Sequence, residues 1–266
     1  PQALHALLDA SPPDCAGIQN AIAKHMDEVG RATSFAIREW DLLNEPIPCR
    51  DIQTACGDQV MTEWFQLGRK WMPGVRLAIN EYGIIETVTD GKKVGQFETL
   101  IQSLLQAGAP IDVLGLQGHF KAAEGIPSPE RMLHLLNRFA AFGLTLRATE
   151  FDVASEDEDL IRDVYRDFYT IMFSHPAVAG LQVWEWSEIF REDGQLTPAG
   201  QIHRELLFQR WHTAEQGVTD GRGRFTAQGF KGDYRIAVRV QDKVVHEGMF
   251  TLGDASGEAT ITLPMP

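Results

Sequence analysis

Two glutamates, Glu45 and Glu150, each stand at the end of a short apolar run, with Asn44 beside the first and Asp152 two residues beyond the second. Three further apolar runs end in the same manner: in Asn80-Glu81-Tyr82, in Gln117 and His119, and in Trp184 and Trp186. A pair of carboxyl groups on separate strands facing one cleft has a defined chemistry. One carboxyl holds a proton for a departing glycosidic oxygen, while the other, ionised, attacks the anomeric carbon or activates water. A carboxyl separation of about 5–5.5 Å implies retention of configuration, and a wider gap implies inversion. Taken singly, these residues have plainer readings. Glu45 and Glu150 could be buried structural carboxylates paired with arginine. Asn44 and Asn80 could satisfy strand-end backbone groups, and His119 could be a satisfied core histidine. One of Trp184 and Trp186 is expected to be core, and for Gln117 and Tyr82 the two readings balance. The functional reading rests on five such strand ends in succession.

The elements that must position them follow from periodicity. Residues 18–29 predict a helix and 35–43 a strand running into Asn44-Glu45-Pro46. Residues 58–72 predict a helix with Val60, Trp64, Leu67 and Trp71 on one face, stopped by Pro73-Gly74. Strands are then expected at 75–80, 111–117, 144–149 and 178–184, and helices at 92–107, 129–139, 158–173 and 197–210. Ser128 is the expected N-cap of the helix at 129–139, with Pro129 at its first position. Met132, Leu135, Leu136 and Phe139 supply its apolar face. The acidic run Glu156-Asp157-Glu158-Asp159 reads as a solvated helix start favoured by the helix dipole. Five strand–helix units preceded by one helix mean parallel strands with helical crossovers. The fold class expected is α/β, a partial (β/α) barrel over residues 1–213, whose carboxyl-end rim gathers the polar residues.

After Trp211 the pattern changes. Tyr234, Ile236, Val238 and Val240 alternate with polar residues, Gln241-Asp242-Lys243 reads as a hairpin turn, and further strands are expected at 250–252 and 259–263. Residues 214–266 therefore read as a small antiparallel appendage, expected to pack on one end of the barrel.

The 266 residues carry 24 Lys and Arg against 37 Asp and Glu, a net charge of −13, which argues against a nucleic-acid partner. No apolar run approaches a membrane-spanning length, and the first residues lack the basic start and apolar middle of a signal peptide. The three cysteines, Cys15, Cys49 and Cys56, form no metal-binding pattern, and no metal or cofactor is expected. Cys49 and Cys56 sit in one loop and could bridge in an oxidising compartment; three free thiols is the competing reading.

The motifs together resemble glycoside hydrolase family 10, the xylanases, over roughly residues 17–263. Trp40-Asp41-Leu42-Leu43-Asn44-Glu45 is similar to that family's W-D-V-V-N-E, and Ala148-Thr149-Glu150-Phe151-Asp152-Val153 to its I-T-E-L-D-V. Ile111-Asp112-Val113-Leu114-Gly115-Leu116-Gln117-Gly118-His119 resembles I-D-G-I-G-x-Q-x-H, and Ala78-Ile79-Asn80-Glu81-Tyr82 resembles I-N-D-Y. Gly229-Phe230-Lys231-Gly232-Asp233-Tyr234 is similar to the G-F-x-G-x-Y of the tail. The resemblance implies a retaining hydrolase of internal β-1,4-xylosidic bonds, acting on xylan or xylo-oligosaccharides and secreted. It implies Glu45 as acid/base and Glu150 as nucleophile, with Asn44 binding the sugar 2-hydroxyl. It places His119 on Glu150 with Asp152 behind it. Asn80, Tyr82, Gln117, Trp184 and Trp186 would line the cleft. A binding protein of the same ancestry and another barrel β-glycosidase remain the alternatives.

Three departures qualify the resemblance. The family's acid/base ends the fourth strand of eight, so strands equivalent to the first three are not found before Glu45. The W-G-x-x-D of the last strand reads Trp184-Glu185-Trp186-Ser187-Glu188, and the Asp of I-N-D-Y is Glu81. A five-strand sheet would leave two open edges, for which pairing with a second copy or with a separate fragment is expected.

Overall fold

The structure, a computed structural model, describes residues 2–33 and 36–253. The chain divides into two compact units, Pro1–Gln201 and Ile202–Pro266. The first unit opens with two helices, α1 (Gln2–Leu8) and α2 (Cys15–Thr33), where one was expected. Strand and helix then alternate through β1 (Glu39–Asn44), α3 (Asp51–Cys56), α4 (Gln59–Trp71), β2 (Arg76–Glu81), α5 (Lys92–Gln106) and β3 (Val113–Leu116). The order continues with β4 (His119–Lys121), α6 (Pro129–Ala140), β5 (Thr145–Ala154), α7 (Glu158–Ser174), β6 (Val178–Val183) and α8 (Pro198–Glu205).

All pairings in this sheet are parallel, in the order β1-β2-β3-β5, with β6 on the far side of β5 and the short β4 against the end of β5. Strand β4 was not expected; three residues give no readable period. Among the described residues β1 and β6 each pair on one side only. Burial follows that order. Every residue of β3 is buried and all but the first of β2, whereas one residue of β1 and none of β6 reaches that state.

The sheet curves. Glu39 on β1 meets Arg147 on β5 at 2.6 Å, although β2 and β3 lie between them. At about 4.8 Å per strand a flat sheet would hold those backbones roughly 14 Å apart. Side chains from strands that are not neighbours therefore converge on one concave face.

Helices α4 to α7 cover the other face. Val60, Met61, Trp64 and Phe65 are the buried side of α4, a face turned slightly from the expected one, since Leu67 and Trp71 are only half-buried. The predicted stripe on α6 is buried in full, and Ser128 Oγ accepts the Arg131 N–H as its cap. Asp157 caps α7 by accepting from the N–H groups of Asp159 and Leu160. Behind β5, Phe151 packs at centroid distances of 4.5 Å on Phe168 and 4.6 Å on Tyr165. Because Phe151 stands between Glu150 and Asp152 and is fully buried, this aromatic cluster fixes the strand on which both carboxylates ride.

Cysteine pairing differs from expectation. The bridge joins Cys15 to Cys56, across 41 residues, and Cys49 is free and exposed. Cys49 lies two residues before α3 and Cys56 ends it, with five rises of 1.5 Å, about 7.5 Å of helix, between Asp51 and Cys56. The bridge instead ties the start of α2 to the end of α3. Closing a loop of this length contributes about 2–4 kcal/mol. A Cys15→Ser/Cys56→Ser variant should therefore unfold at a clearly lower temperature than the oxidised wild type. Equal midpoints would show that the bridge does not stabilise this unit.

In the second unit β7 (Gly232–Val240) and β8 (Lys243–Leu252) form an antiparallel hairpin. Gln241 and Asp242, both at positive φ, make the two-residue turn, so Lys243 already belongs to the second strand. The strand expected at 259–263, like Phe35 of the first, lies outside the described residues.

Candidate active site

Parallel strands deliver their carboxyl ends to a single rim. That alone brings together Asn44 and Glu45 after β1, Asn80 and Glu81 on β2, Gln117 after β3, His119 on β4, and Glu150 and Asp152 on β5.

One hydrogen-bonded network joins the two glutamates. Gln117 Nε2 donates to Glu45 Oε1 at 3.1 Å and to Asn44 Oδ1 at 3.4 Å. Asn80 Nδ2 donates to Asn44 Oδ1 at 2.9 Å and to Glu150 Oε1 at 2.8 Å. Thr149 Oγ1 in turn donates to Asn80 Oδ1 at 2.7 Å, so the fully buried Asn80 amide is satisfied on both sides. Asn80 lies over Gly115 of β3, where a Cβ would come within 2.4 Å of its Oδ1. Glycine is required there because the amide occupies the space of a side chain. Gln117 is also buried, so the two amides that orient the carboxylates are themselves held rigidly.

The other oxygen of Glu150 faces His119. Nε2 lies 3.2 Å from Glu150 Oε2, and Nδ1 lies 2.8 Å from Asp152 Oδ1. The hydrogen bond to Asp152 is the main cause that raises the His119 pKa to about 9, against a smaller opposing effect of burial. The imidazole thus bridges the two carboxylates. The sign for stability follows. A pKa raised on folding stabilises fully below the ordinary value near 6.5, and that contribution is lost as pH rises through about 9. The midpoint difference between wild type and His119→Gln should therefore shrink from pH 6.5 to 9. A difference constant over that window would contradict the assignment.

Both glutamate strands are irregular just where the carboxylates arise. In β1 the register skips Leu42, between Asp41 and Leu43. In β5 it shifts between Ala148 and Phe151, the segment that contains Glu150. Such bulges re-aim side chains at the edges of sheets and next to sites. Glu45 has φ 51°, a left-handed conformation that costs a non-glycine residue about 1–2 kcal/mol. It is held by three bonds: its N–H to Asn80 O at 2.9 Å, its carbonyl from Cys49 N–H at 3.0 Å, and Ile47 N–H to Glu81 Oε2 at 3.1 Å.

The aromatic residues lie differently from the expectation that one tryptophan is core. Trp184 is 56% exposed and Trp186 73% exposed, so neither is. Trp184 stands edge-on to His119 at 5.9 Å, beside the network, while Trp186 stacks on Phe190 at 5.8 Å and joins none of the carboxylates. Tyr82 is 38% exposed at the rim. Thr149, within the motif around Glu150, was overlooked by sequence reasoning. So was Glu188, whose Oε1 accepts from Val153 N–H at 2.8 Å and whose Oε2 accepts from Tyr165 Oη at 2.6 Å, fastening the end of β5. Burial raises the Glu188 carboxyl to about 7. A groove of about 650 Å³ between α4 and α5 is lined in part by Met61, Gln96 and Leu100 and reaches Ile47 in the turn after Glu45. Among the described residues no cluster of three metal-ligating side chains occurs, and no helix is long and apolar enough to cross a membrane.

Comparison with known proteins places this arrangement in a family. The protein named anti-sigma-I factor RsgI6, of Acetivibrio thermocellus, is 28% identical over 238 residues, covering 85% of this chain and 30% of that protein. Endo-1,4-beta-xylanase 1 of Arabidopsis thaliana is 24% identical over 231 residues, covering 83% and 24%. The chain thus spans less than a third of either relative. Xylanase 10B from Thermotoga petrophila, solved in complex with xylobiose, superposes with a TM-score of 0.61 at 22% identity, over 73% of this chain and 66% of that one. At this identity the likeness shows the fold, that of the parallel α/β barrel. The model of glycosyl hydrolase family 10 matches residues 5–208, most of the chain and every residue of the carboxylate network, and the chain belongs to that family.

Proposed function

We propose that the chain is a retaining glycoside hydrolase that cleaves internal β-1,4-xylosidic bonds of xylan or xylo-oligosaccharides. The observation that carries this reading is the single amide network joining Glu45 and Glu150, with His119 and Asp152 behind only one of them. The asymmetry suits the division of labour that double displacement needs. Glu150, beside a protonated imidazole, is the ionised nucleophile. It attacks the anomeric carbon while Glu45 gives its proton to the departing oxygen. Glu45 then takes a proton from water as that water displaces Glu150 from the sugar. Asn44, whose Oδ1 is fixed by Asn80 and Gln117, offers its Nδ2 to the sugar 2-hydroxyl. Tyr82 and Trp184 supply exposed ring faces for the sugar, and Trp186 extends that surface. Several relatives bear the name endo-1,4-beta-xylanase, which supports the choice of substrate.

The test is release of reducing sugar from xylan by the purified chain, with Glu150→Gln as the blank. Activity no higher than the blank, with xylo-oligosaccharide binding retained, would select the second reading, a sugar-binding protein of the same ancestry. The sparse burial of β6 favours keeping that reading in view.

The five strand–helix units are further proposed to correspond to the fourth to eighth of an eight-unit barrel. A second copy, or a separate fragment, is proposed to cover the sides of β1 and β6 that carry no strand among the described residues. Sedimentation of a monodisperse monomer would count against that pairing. The hairpin unit is assigned a structural role. Export to an oxidising compartment is consistent with the Cys15–Cys56 bridge.

A further inference from the structure

We propose that Glu81 and Lys93 form a positioning pair that sets the backbone of the Glu45 turn. The inference rests on the role of Glu45 given above and extends it to two residues that touch no substrate.

Glu81 is fully buried, and its carboxylate meets three groups. Oε2 accepts the Ile47 N–H at 3.1 Å, Oε1 accepts the Tyr82 N–H at 3.1 Å, and Oε1 lies 2.8 Å from Lys93 Nζ. The last is a charge contact without hydrogen-bond geometry. Lys93 reaches back from the first turn of α5, and its ammonium sits over the Tyr82 ring, 2.9 Å from the centroid. Its stem passes Gly83, at φ 70°, where a Cβ would lie 3.2 Å from Lys93 Cδ. A buried ion pair is a poor source of stability, since desolvation offsets attraction. The pair is better explained by what it holds in place.

What it holds is the turn after Glu45. Glu45 N–H is tied to Asn80 O and Ile47 N–H to Glu81 Oε2, so both sides of Pro46 are fastened to the end of β2. The left-handed backbone at Glu45 persists only while its surroundings over-determine it. Without the Glu81 carboxylate one of those ties weakens, and the Glu45 carboxyl leaves the place where a leaving oxygen takes its proton. A displacement of about 1 Å is worth as much as 10²-fold in rate.

The experiment compares wild type with Glu81→Gln, which keeps shape and removes charge, and Lys93→Met, which removes the cation. The substrates are aryl β-xylobiosides whose leaving groups span a wide pKa range. In both variants kcat/KM should fall about 10- to 100-fold for poor leaving groups and less than about threefold for good ones, because only the former need Glu45's proton. A uniform fall across leaving groups, or no fall, would overturn the proposal. A second readout is independent of turnover. The Ile47 amide should exchange with deuterium faster in Glu81→Gln than in wild type while the β3 amides are unchanged. Equal Ile47 protection would overturn the placement. A wild-type chain inactive on every aryl xyloside would defeat the hydrolase reading, and the amide exchange would still decide whether the pair holds this turn.

Discussion

Glu150→Gln should lower turnover of xylan and of every aryl xyloside by a factor on the order of 10⁴ or more, the range seen when the group that forms a covalent intermediate is removed. The loss has one cause: an amide in the place of Glu150 can still accept from Asn80 but cannot attack an anomeric carbon. The substitution is nearly isosteric, so Phe151 and the aromatic cluster behind it keep β5 in place, and the variant should remain folded. It should also bind xylo-oligosaccharide with an affinity close to that of wild type, because Asn44, Tyr82 and Trp184 are unchanged. The His119 environment gives a further check. Removing the Glu150 charge removes one of the groups that raise that pKa, though the larger contribution of Asp152 remains. His119 should therefore titrate lower in the variant than in wild type when followed by NMR, yet still above an ordinary histidine. Turnover of activated and unactivated substrates by Glu150→Gln at near wild-type rates would remove Glu150 from the nucleophile's role.

Much of this site was legible because strand direction and side-chain type are local properties. Five apolar runs ending in polar residues predict parallel strands with one functional rim, and the structure places Asn44, Glu45, Asn80, Gln117, His119, Glu150 and Asp152 there. What escaped the sequence depends on distance along the chain or on backbone detail. Cys15 meets Cys56 across 41 residues because α3 separates the nearer pair. Lys93 and Glu188 act by reaching back from elements whose own patterns look like an ordinary helix start and an ordinary loop. The shifts at Leu42 and around Glu150 leave no periodic trace, because a bulge changes which face a side chain takes without changing which residues are apolar. Trp184 and Trp186 show the reverse problem. Size and hydrophobicity suggested that one was core, but both lie after β6, a strand with no buried residue, and the rim leaves them open to solvent.

Glu45→Ala should divide substrates by their leaving groups. For xylan and alkyl xylosides, whose departing oxygen must be protonated, the fall should be about 10²- to 10⁴-fold, the usual worth of a positioned general acid. For an aryl xyloside with a strongly acidic phenol, bond cleavage needs no proton, and the first step should proceed at close to the wild-type rate. Glycosylated Glu150 then accumulates, because the same variant lacks the base that activates water. The expected signature is a burst of phenol equal to the enzyme present, followed by slow release. A small anionic nucleophile that needs no deprotonation, such as azide, should restore turnover. It should do so with retained anomeric configuration, since it attacks the face that water would use. This outcome also bears on the geometry around Glu45. Its carboxyl is oriented by Gln117 Nε2 and carried on a left-handed residue, so Glu45→Ala also removes an acceptor from the buried Gln117 amide. That loss alone would weaken binding of all substrates alike. A fall of equal size for activated and unactivated xylosides, with no burst and no rescue, would mean that Glu45 only supports the amide network, and the proton donor would have to be sought elsewhere on the rim.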